Sequence, residues 1–452
     1  MVLHISILMV FISLFCGGHA RAASFEPYFE LSLLGDIYPV DGAGDLNNGQ
    51  LHGRFKLLNQ REKSQVYFDL GAGGLVGKKA ENYFIVPQAY VSLQPRNSLE
   101  LTFGRKLKNY SQLDTYWLLG DIMPLFRWDA GRPEAQGLPG IFATYKPVPG
   151  VEIDLVGSYL FLPSQGPSFS IVDGKLTSGN PWFSRPVDIL DLGLPYDLQY
   201  SVNTPEISDI VFKPTLGASI LLQPESDGLW ARGSYLLKQK NEVVTPFSGT
   251  LNLSNDTGDI QVYPAVAEHK VGALDIGYKG EEWAITVSGL FENDVKFDIE
   301  SAAWIYPIYS DQYKVGMNFS YQVSSFHSLE LGALRTFDNR VKIGGGPAGV
   351  DSLEIFSFRN QYDNVVDLRL TSVFWPQAHG FLFKTKGRVA YDYTAETTLL
   401  SMELIYSPLM DASAFVRADL FGGERPENKI YNNLLVNYLN RDRFQAGVRY
   451  VF

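Results

Sequence analysis

The sequence predicts an all-β fold: a single closed antiparallel transmembrane β-barrel of about 18 strands, with 16 as the next most favoured number. Three observations lead to this prediction. Aromatic residues are frequent, at 13% of the chain, while charged residues reach only 19%. Segments of about ten residues alternate between apolar and polar side chains. Short turns also alternate with long polar connections, as they do when one end of a barrel carries the loops.

The composition excludes some classes of function. The 452 residues have a mean hydropathy close to zero and a formal net charge of −11. A membrane barrel explains the near-zero mean, because lipid-facing and lumen-facing residues alternate along each strand and their hydropathies cancel. The negative charge argues against a nucleic-acid partner, since a surface that binds phosphates needs an excess of Lys and Arg.

The N-terminus has the pattern of an export signal. Residues 5–15 form an apolar core, and Ala20, Arg21 and Ala22 fit a small-x-small cleavage site. We therefore predict a signal peptide over 1–22 and a barrel with long extracellular loops over 23–452. A short membrane anchor is the alternative, but the apolar run is too short to span a bilayer comfortably. The single cysteine, Cys16, lies inside the signal, so the mature chain has no disulfide and no Cys-bound metal.

The strand pattern is clearest in two segments. Residues 151–159 place Val, Ile, Leu and Tyr on one face and Glu, Asp and Ser on the other. Residues 381–393 separate aromatic residues and Val from Lys, Arg and Asp in the same way. This period of two indicates strands with one apolar and one polar face.

Connection length distinguishes a barrel from a soluble sandwich. Pro and Gly mark short turns at residues 94–97, 146–150, 223–228, 278–282, 375–378 and 407–410. Longer polar connections lie at residues 108–137, 162–212, 293–311, 337–363 and 421–442. The acidic segment 163–214 has few apolar residues, so we expect a loop without a core of its own. It could cap the barrel mouth, bind a cation or remain solvated.

The last segment, Phe444–Phe452, carries a family resemblance. Phe444, Ala446, Val448, Tyr450 and Phe452 share one face, and the chain ends on an aromatic residue. This segment resembles the C-terminal strand of bacterial outer-membrane β-barrel proteins, which are porin-like. The resemblance implies an outer-membrane location, and it implies that Tyr450 and Phe452 form the signal read by the barrel-assembly machinery.

Alternation then assigns the charged residues of the strands to the lumen, because Lys and Arg are costly in hydrocarbon. We expect the first and last strands to form a basic wall with scattered acids that biases ion passage. The alternative is that these charges only pair and hydrate. The predicted pore-lining residues are His52, Arg54, Lys56, Asp367, Arg369, Lys384, Lys386, Arg388, Glu403, Arg417, Asp419 and Arg449.

The segment 114–136 is dense in aromatic residues, prolines and opposed charges. In porin-like barrels a long outer loop folds into the lumen and narrows it, and we expect this segment to do so. The alternative is a surface loop packed on the barrel rim by its two Trp. The predicted constriction residues are Arg127, Asp129, Arg132 and Glu134.

We expect no enzyme activity, catalytic residue, metal or cofactor. The four His of the mature chain show no metal-ligand spacing, and the sequence holds neither a Gly-x-Ser-x-Gly elbow nor a phosphate loop. His327 and Ser328 are adjacent, so they face opposite sides of a strand.

The resemblance implies a porin-like channel for passive diffusion of small hydrophilic solutes or ions. Two alternatives remain open: a substrate-specific transporter or exporter, and a surface-binding, adhesin-like barrel with a plugged lumen. The expected partners are outer-membrane lipid, the barrel-assembly machinery and small hydrophilic solutes. The oligomeric state is left open.

Overall fold

The computed structural model describes residues 24–39, 48–76, 81–186, 188–191, 195–223, 227–298, 300, 302–337, 341–344, 362–374, 382–409, 411–424, 434–439 and 441–452. The predicted signal peptide over 1–22 and the predicted turn at 375–378 lie outside these residues. Within the described ranges, no helix has both the length and the apolar character needed to cross a bilayer.

Eighteen strands form one closed antiparallel sheet, which confirms the predicted barrel and its strand number. Each strand pairs with the barrel strands before and after it. The last strand, Arg443–Val451, pairs with the first, Ser24–Ile37, so that Val448 lies opposite Leu33. The barrel strands are β1 (Ser24–Ile37), β2 (Asn48–Arg61), β3 (Ser64–Leu75), β4 (Tyr83–Arg96), β5 (Leu99–Lys106), β8 (Leu138–Tyr145), β9 (Val151–Ser158), β14 (Thr215–Leu222), β15 (Gly228–Gln239), β18 (Glu268–Lys279), β19 (Trp283–Lys296), β21 (Gln312–Ser324), β22 (His327–Phe337), β24 (Asn364–Phe374), β25 (Leu382–Asp392), β26 (Thr397–Ser407), β27 (Ala412–Gly422) and β28 (Arg443–Val451).

The remaining elements belong to the connections at one end of the barrel. The short strands are β6 (Leu125–Phe126), β7 (Glu134–Ala135), β10 (Ser170–Val172), β11 (Lys175–Thr177), β12 (Ile189–Asp191), β13 (Pro195–Val202), β16 (Phe247–Asn252), β17 (Thr257–Val262), β20 (Tyr306–Tyr309) and β23 (Val341–Gly344). The helices are α1 (Gln112–Trp117), α2 (Ile207–Val211) and α3 (Leu434–Asn437).

Turns and loops separate to opposite ends, as predicted. At the end where β1 begins and β28 ends, the described connections are short, and Gly150 closes one of them with a φ of 80° that favours glycine. The other end carries the long connections. The sequence prediction missed one of these, residues 240–267 between β15 and β18, which contains β16 and β17.

The outer surface of the barrel is apolar. On β28, the side chains of Phe444, Val448 and Tyr450 are exposed, whereas Gln445 is buried on the inward face. Aromatic rings collect near the short turns, where Trp283 stacks on Tyr278 with ring centroids 4.9 Å apart. An apolar outer band bordered by aromatic residues is what lipid and its interface require. The chain is therefore a membrane-spanning barrel of the outer-membrane type.

Three long connections build a small cap at the loop end. Strands β12, β13, β17 and β16 form one sheet, in which Tyr200 lies opposite Ile260 in a parallel pair. Its buried apolar residues are Leu176, Leu198, Tyr200, Phe247, Ile260, Val262 and Ile305. The segment 163–214 supplies only part of this cluster, and residues 247–262 and Ile305 complete it. The segment therefore has no core of its own, as expected, but its apolar residues pack against those of two other connections.

The closing strand pair yields a stability prediction. The Phe452 ring lies 5.5 Å from the Phe29 ring and 4.6 Å from the Tyr450 ring, measured between centroids. We expect Phe452→Leu to lower the free energy of unfolding by about 1 kcal/mol or more, because each aromatic pair adds about 0.5–1.5 kcal/mol beyond area burial. Urea titration of the refolded barrel in lipid vesicles measures this change. Phe444→Leu on the same outward face is the matched control, and equal losses in both variants would refute the closing role of Phe452.

Candidate functional site

The connection between β5 and β8, residues 107–137, folds into the barrel lumen. Its helix α1 is capped by Ser111, whose hydroxyl accepts a hydrogen bond from the Asp114 backbone N–H at 3.3 Å. Two wall glycines make room for the helix. A Cβ at Gly316 would lie 2.2 Å from Leu113 Cδ1, and one at Gly332 would lie 2.6 Å from Tyr116 Cε1. The wall is therefore shaped to hold α1.

An apolar cluster fixes this loop inside the barrel. Leu113 and Trp117 of α1 are fully buried, although they lie within the lumen rather than in a protein core beneath the sheet. Inward-facing apolar side chains from strands around most of the barrel pack against them. The wall residues of this cluster are Phe142, Val156, Leu236, Val271, Leu290, Leu334, Val365, Ala390, Leu399 and Phe421. Packing of this extent closes much of the loop-side lumen.

Polar anchors fix the orientation of the loop. The Tyr116 hydroxyl donates to Asp367 Oδ1 at 2.8 Å, and the Gln112 backbone N–H donates to Asp275 Oδ2 at 2.9 Å. Lys314 Nζ lies 2.6 Å from Asp121 Oδ2, and both side chains are buried. Separating a buried ion pair leaves two charges without compensation, which is energetically costly. This pair therefore holds the loop in one position against the wall.

Asp114 lies on α1 and is fully buried. Its carboxylate accepts hydrogen bonds from the backbone N–H groups of Asp121 at 3.0 Å and Met123 at 3.1 Å. Burial, followed by the nearby Asp121 carboxylate, raises the pKa of Asp114 to about 6. The Asp114 carboxyl therefore keeps its proton to a higher pH than an exposed Asp does.

The four predicted constriction residues all lie on this inward loop, and three of them contact the wall formed by the first and last strands. Asp129 Oδ2 lies 2.6 Å from Arg443 Nη1, and Arg132 Nη2 lies 3.0 Å from Asp419 Oδ1. Glu134 pairs with Arg54 on β2 (Asn48–Arg61).

Arg127 is placed differently. It pairs with Glu242 of an outer connection at 2.9 Å, and its guanidinium also donates to the Leu119 carbonyl at 3.3 Å. Arg127 therefore ties the inward loop to residues 240–267 rather than to the barrel wall.

The predicted pore-lining residues of β2 face inward. His52 packs edge-on against Trp128 of the inward loop, with ring centroids 5.6 Å apart. Arg54 Nε donates to Asp69 Oδ1 at 2.7 Å, and Lys56 Nζ lies 4.0 Å from the same carboxylate. His52 is thus part of the loop contact, while the two cations share one buried acid.

A second group gathers around Asp367. Arg369 Nε and Arg388 Nε lie 2.9 Å and 3.0 Å from Asp367 Oδ2. The Arg369 guanidinium also lies 3.9 Å from the centre of the Tyr116 ring, a cation–π contact with the inward loop. The structure therefore brings these three predicted residues together at the base of α1.

The remaining predicted wall residues lie on the last strands. Glu403 pairs with Arg417 at 2.5 Å and with Lys386 at 3.3 Å. Lys384 lies on the same inward face of β25, opposite Val373 and Ile405 in the strand register.

Three further predicted residues lie at the closing strand pair. Arg449 Nε lies 3.0 Å from Glu30 Oε1 across the β1–β28 pair. Tyr450 and Phe452, the predicted assembly signal, are exposed on the outer face of the same strand.

Sequence reasoning missed Arg443, which is fully buried and joins Asp129 to Asp419 at 2.6 Å each. Its guanidinium also lies 4.9 Å from the centre of the Trp182 ring. Extending the alternation of the last strand backward from Arg449 would have placed Arg443 on the inward face. Lys314 could have been found in the same way, since Tyr313 and Val315 on either side of it are apolar.

No family model matches the sequence, and no curated protein matches it. Several solved structures are similar to this chain at low sequence identity. Pseudomonas aeruginosa OpdQ is 12% identical with a TM-score of 0.48, over 96% of this chain and 99% of that chain. Acinetobacter baumannii OccAB3 is 12% identical with a TM-score of 0.45, over 94% and 99%. The Pseudomonas aeruginosa outer membrane protein OpdK is 12% identical with a TM-score of 0.43, over 94% and 99%.

The Lys314–Asp121 pair yields an energetic prediction. We expect Lys314→Met to lower the free energy of unfolding by about 3–5 kcal/mol, because it leaves the Asp121 carboxylate buried without its cation. Adding Asp121→Asn should recover about 1–3 kcal/mol of this loss. Chemical unfolding in lipid vesicles measures both values. The exposed pair Lys296–Asp294 gives the control, and Lys296→Met should cost no more than about 0.5 kcal/mol. Similar losses in the two Met variants would contradict the anchoring role.

The Asp114 pKa yields a pH prediction. Because the pKa rises from 3.8 in the unfolded chain to about 6 in the folded one, the folded protein holds a proton that the unfolded chain releases in this window. Stability should therefore fall as pH rises from about 4 to about 6. We expect Asp114→Asn to flatten this part of the curve, measured by unfolding titrations at several pH values. Parallel curves for the two proteins would rule out Asp114 as the titrating group.

Proposed function

We propose that this outer-membrane barrel is a porin-like channel for passive diffusion of small hydrophilic solutes or ions. One observation carries the proposal: the cations of the predicted wall remain partly exposed in the lumen while the carboxylates that pair with them are buried. Lys386 is 48% exposed and its partner Glu403 is 5% exposed. Lys56 is 38% exposed and Asp69 is 4% exposed.

The same asymmetry holds at the base of α1 (Gln112–Trp117). Arg369 is 28% exposed and its partner Asp367 is fully buried. Solutes in the lumen would therefore meet positive charge on this side, although the whole chain carries a net negative charge. A charged wall beside a low-dielectric interior biases which ions enter a water-filled pore.

The inward loop supports an upper limit on the size of the solutes that can pass. Asp129, Arg132 and Glu134 tie the loop to the wall strands, so it narrows the lumen beside the exposed cations. A barrel of about 16–18 strands otherwise leaves a wide aqueous channel. The loop and the wall together favour small solutes, and anions among them.

Lipid and the barrel-assembly machinery are the remaining proposed partners. Tyr450 and Phe452 are exposed on the outer face of the last strand, where lipid and an assembly factor could reach them. The Phe452→Leu and Phe444→Leu pair tests the assembly role in cells, by the amount of heat-modifiable barrel recovered from the outer membrane. Equal recovery of the two variants would remove Phe452 from the signal.

A surface-binding role is the second candidate function. The cap favours it, because the sheet of β12, β13, β17 and β16 has its own buried cluster outside the barrel. A loop that only borders a pore does not need such a core.

Conductance through a planar bilayer tests the channel proposal. We expect stepwise currents from the folded barrel and a reversal potential that shows preference for anions in a salt gradient. Lys386→Met should lower this preference by roughly twofold, since it removes the most exposed cation of the wall pairs. Lys296→Met, whose side chain is 73% exposed beyond the wall, should leave it unchanged.

One outcome would overturn the proposed channel, and another would overturn the proposed source of its ion preference. Folded protein that carries no current would exclude a diffusion channel and favour the surface-binding role. Currents whose ion preference is insensitive to Lys386→Met would exclude the wall as its source.

A further inference from the structure

A cavity of about 380 Å³ lies between α1 and the turn end of the barrel. Its lining comes from the wall between β14 and β22 rather than from the basic wall, and Gln112 and Tyr116 of α1 form its roof. This volume falls within the range of roughly 300–1,000 Å³ found for small-molecule pockets.

An aromatic platform forms one side of the cavity. A Cβ at Gly277 would lie 2.6–2.7 Å from three atoms of the Trp230 indole. These three atoms lie along one edge of the indole, so the absence of a side chain at Gly277 leaves room for that edge of the ring. Trp230 also lines the cavity, so a large aromatic ring borders the space that a ligand would occupy.

Two lining residues carry buried polar atoms without a hydrogen-bond partner in the described part of the chain. They are Arg232 Nη1, a donor, and Asn318 Oδ1, an acceptor. Buried polar atoms in native proteins are almost always paired, so unpaired ones beside a cavity point to a bound water or ligand. A ligand group that both donates and accepts hydrogen bonds would satisfy these two atoms.

The charges around the cavity nearly cancel. Arg232 and Lys279 are positive and Glu330 is negative. Asp275, opposite Arg232 in the strand register, adds a second negative charge below the lining. Arg369, opposite Glu330 in the strand register, is paired with the buried Asp367. A site for an anion would need an excess of cations. Hydroxyl groups suit a balanced set, because each can accept from Arg232 and donate to Glu330.

We infer that this cavity binds a neutral saccharide, with a sugar ring stacked on Trp230 and its hydroxyls bonded to Arg232, Asn318 and Glu330. The inference rests on the proposed channel function, which would bring the sugar to this side of α1. The cavity would hold solute after the constriction, on the wall from β14 to β22.

Saturation-transfer difference NMR on the folded barrel in detergent tests the inference, with maltose as the probe. We expect saturable binding that weakens about tenfold or more in Trp230→Ala and by no more than about threefold in Trp230→Phe, which keeps an aromatic face. Heat-modifiable mobility on gels verifies that each variant is folded. Absence of saturable maltose binding by the folded wild-type barrel would overturn the inference.

A glycine pair supplies a matched control. Gly277→Ala should weaken maltose binding about tenfold, because its Cβ displaces the indole from its seat. Gly233→Ala lies on the same strand as Trp230, and its Cβ meets nothing within 4 Å, so binding should be unchanged. Equal affinities in both glycine variants would remove Trp230 as the platform.

Benzoate distinguishes the saccharide from a planar anion. We expect no displacement of maltose by benzoate. Benzoate that binds more tightly than maltose, and loses its affinity in Arg232→Met, would replace the saccharide with an aromatic anion. The readouts are independent of the channel proposal: maltose binding without conductance removes only the channel, and conductance without maltose binding removes only the saccharide site.

Discussion

Closure of the sheet is the constraint on which the rest of the structure depends. In hydrocarbon every backbone N–H and C=O must be paired, so a spanning sheet cannot keep a free edge. The β1–β28 pair removes that edge. Once the sheet is closed, each strand has one face toward lipid and one toward the lumen, and most charged side chains of the strands face the inside. A ring of 18 strands encloses more space than wall side chains fill, which leaves room for the inward loop.

This constraint explains why much of the fold could be predicted from the sequence. Alternation and turn composition are local signals, and they were enough to place the strands, the short turns and most long connections. The cap could not be predicted in this way. Its core joins Leu198, Ile260 and Ile305 from three different connections, and none of these connections has enough apolar residues alone. The parallel pairing of β13 with β17 likewise depends on chain segments that meet only after the barrel has closed.

The functional site could likewise be predicted only in part. Alternation could predict that Arg54, Lys386 and Arg417 face the lumen, since that depends only on neighbours in the chain. Alternation could not predict which charged residues pair with each other. Asp129 and Arg443 are 314 residues apart, and their pairing requires the inward loop. The wall glycines that make room for α1 could not be recognised in the sequence for a related reason. Gly316 and Gly332 matter through the side chains they admit, and a single sequence does not show what lies opposite a glycine.

The inward loop also gives the lumen two chemically different sides. Toward the first and last strands, burying carboxylates such as Asp367 costs desolvation energy. This cost is offset by the close guanidinium groups of Arg369 and Arg388 and by the hydrogen bond from the Tyr116 hydroxyl. The cations then remain as the charge that water and solutes meet. Toward β14–β22 the lining is balanced in charge and carries an indole, so attraction there depends on shape and hydrogen bonding. A solute passing α1 would therefore be selected first by the long-range electrostatic field of the cations. It would then be selected by short-range contacts with the cavity lining.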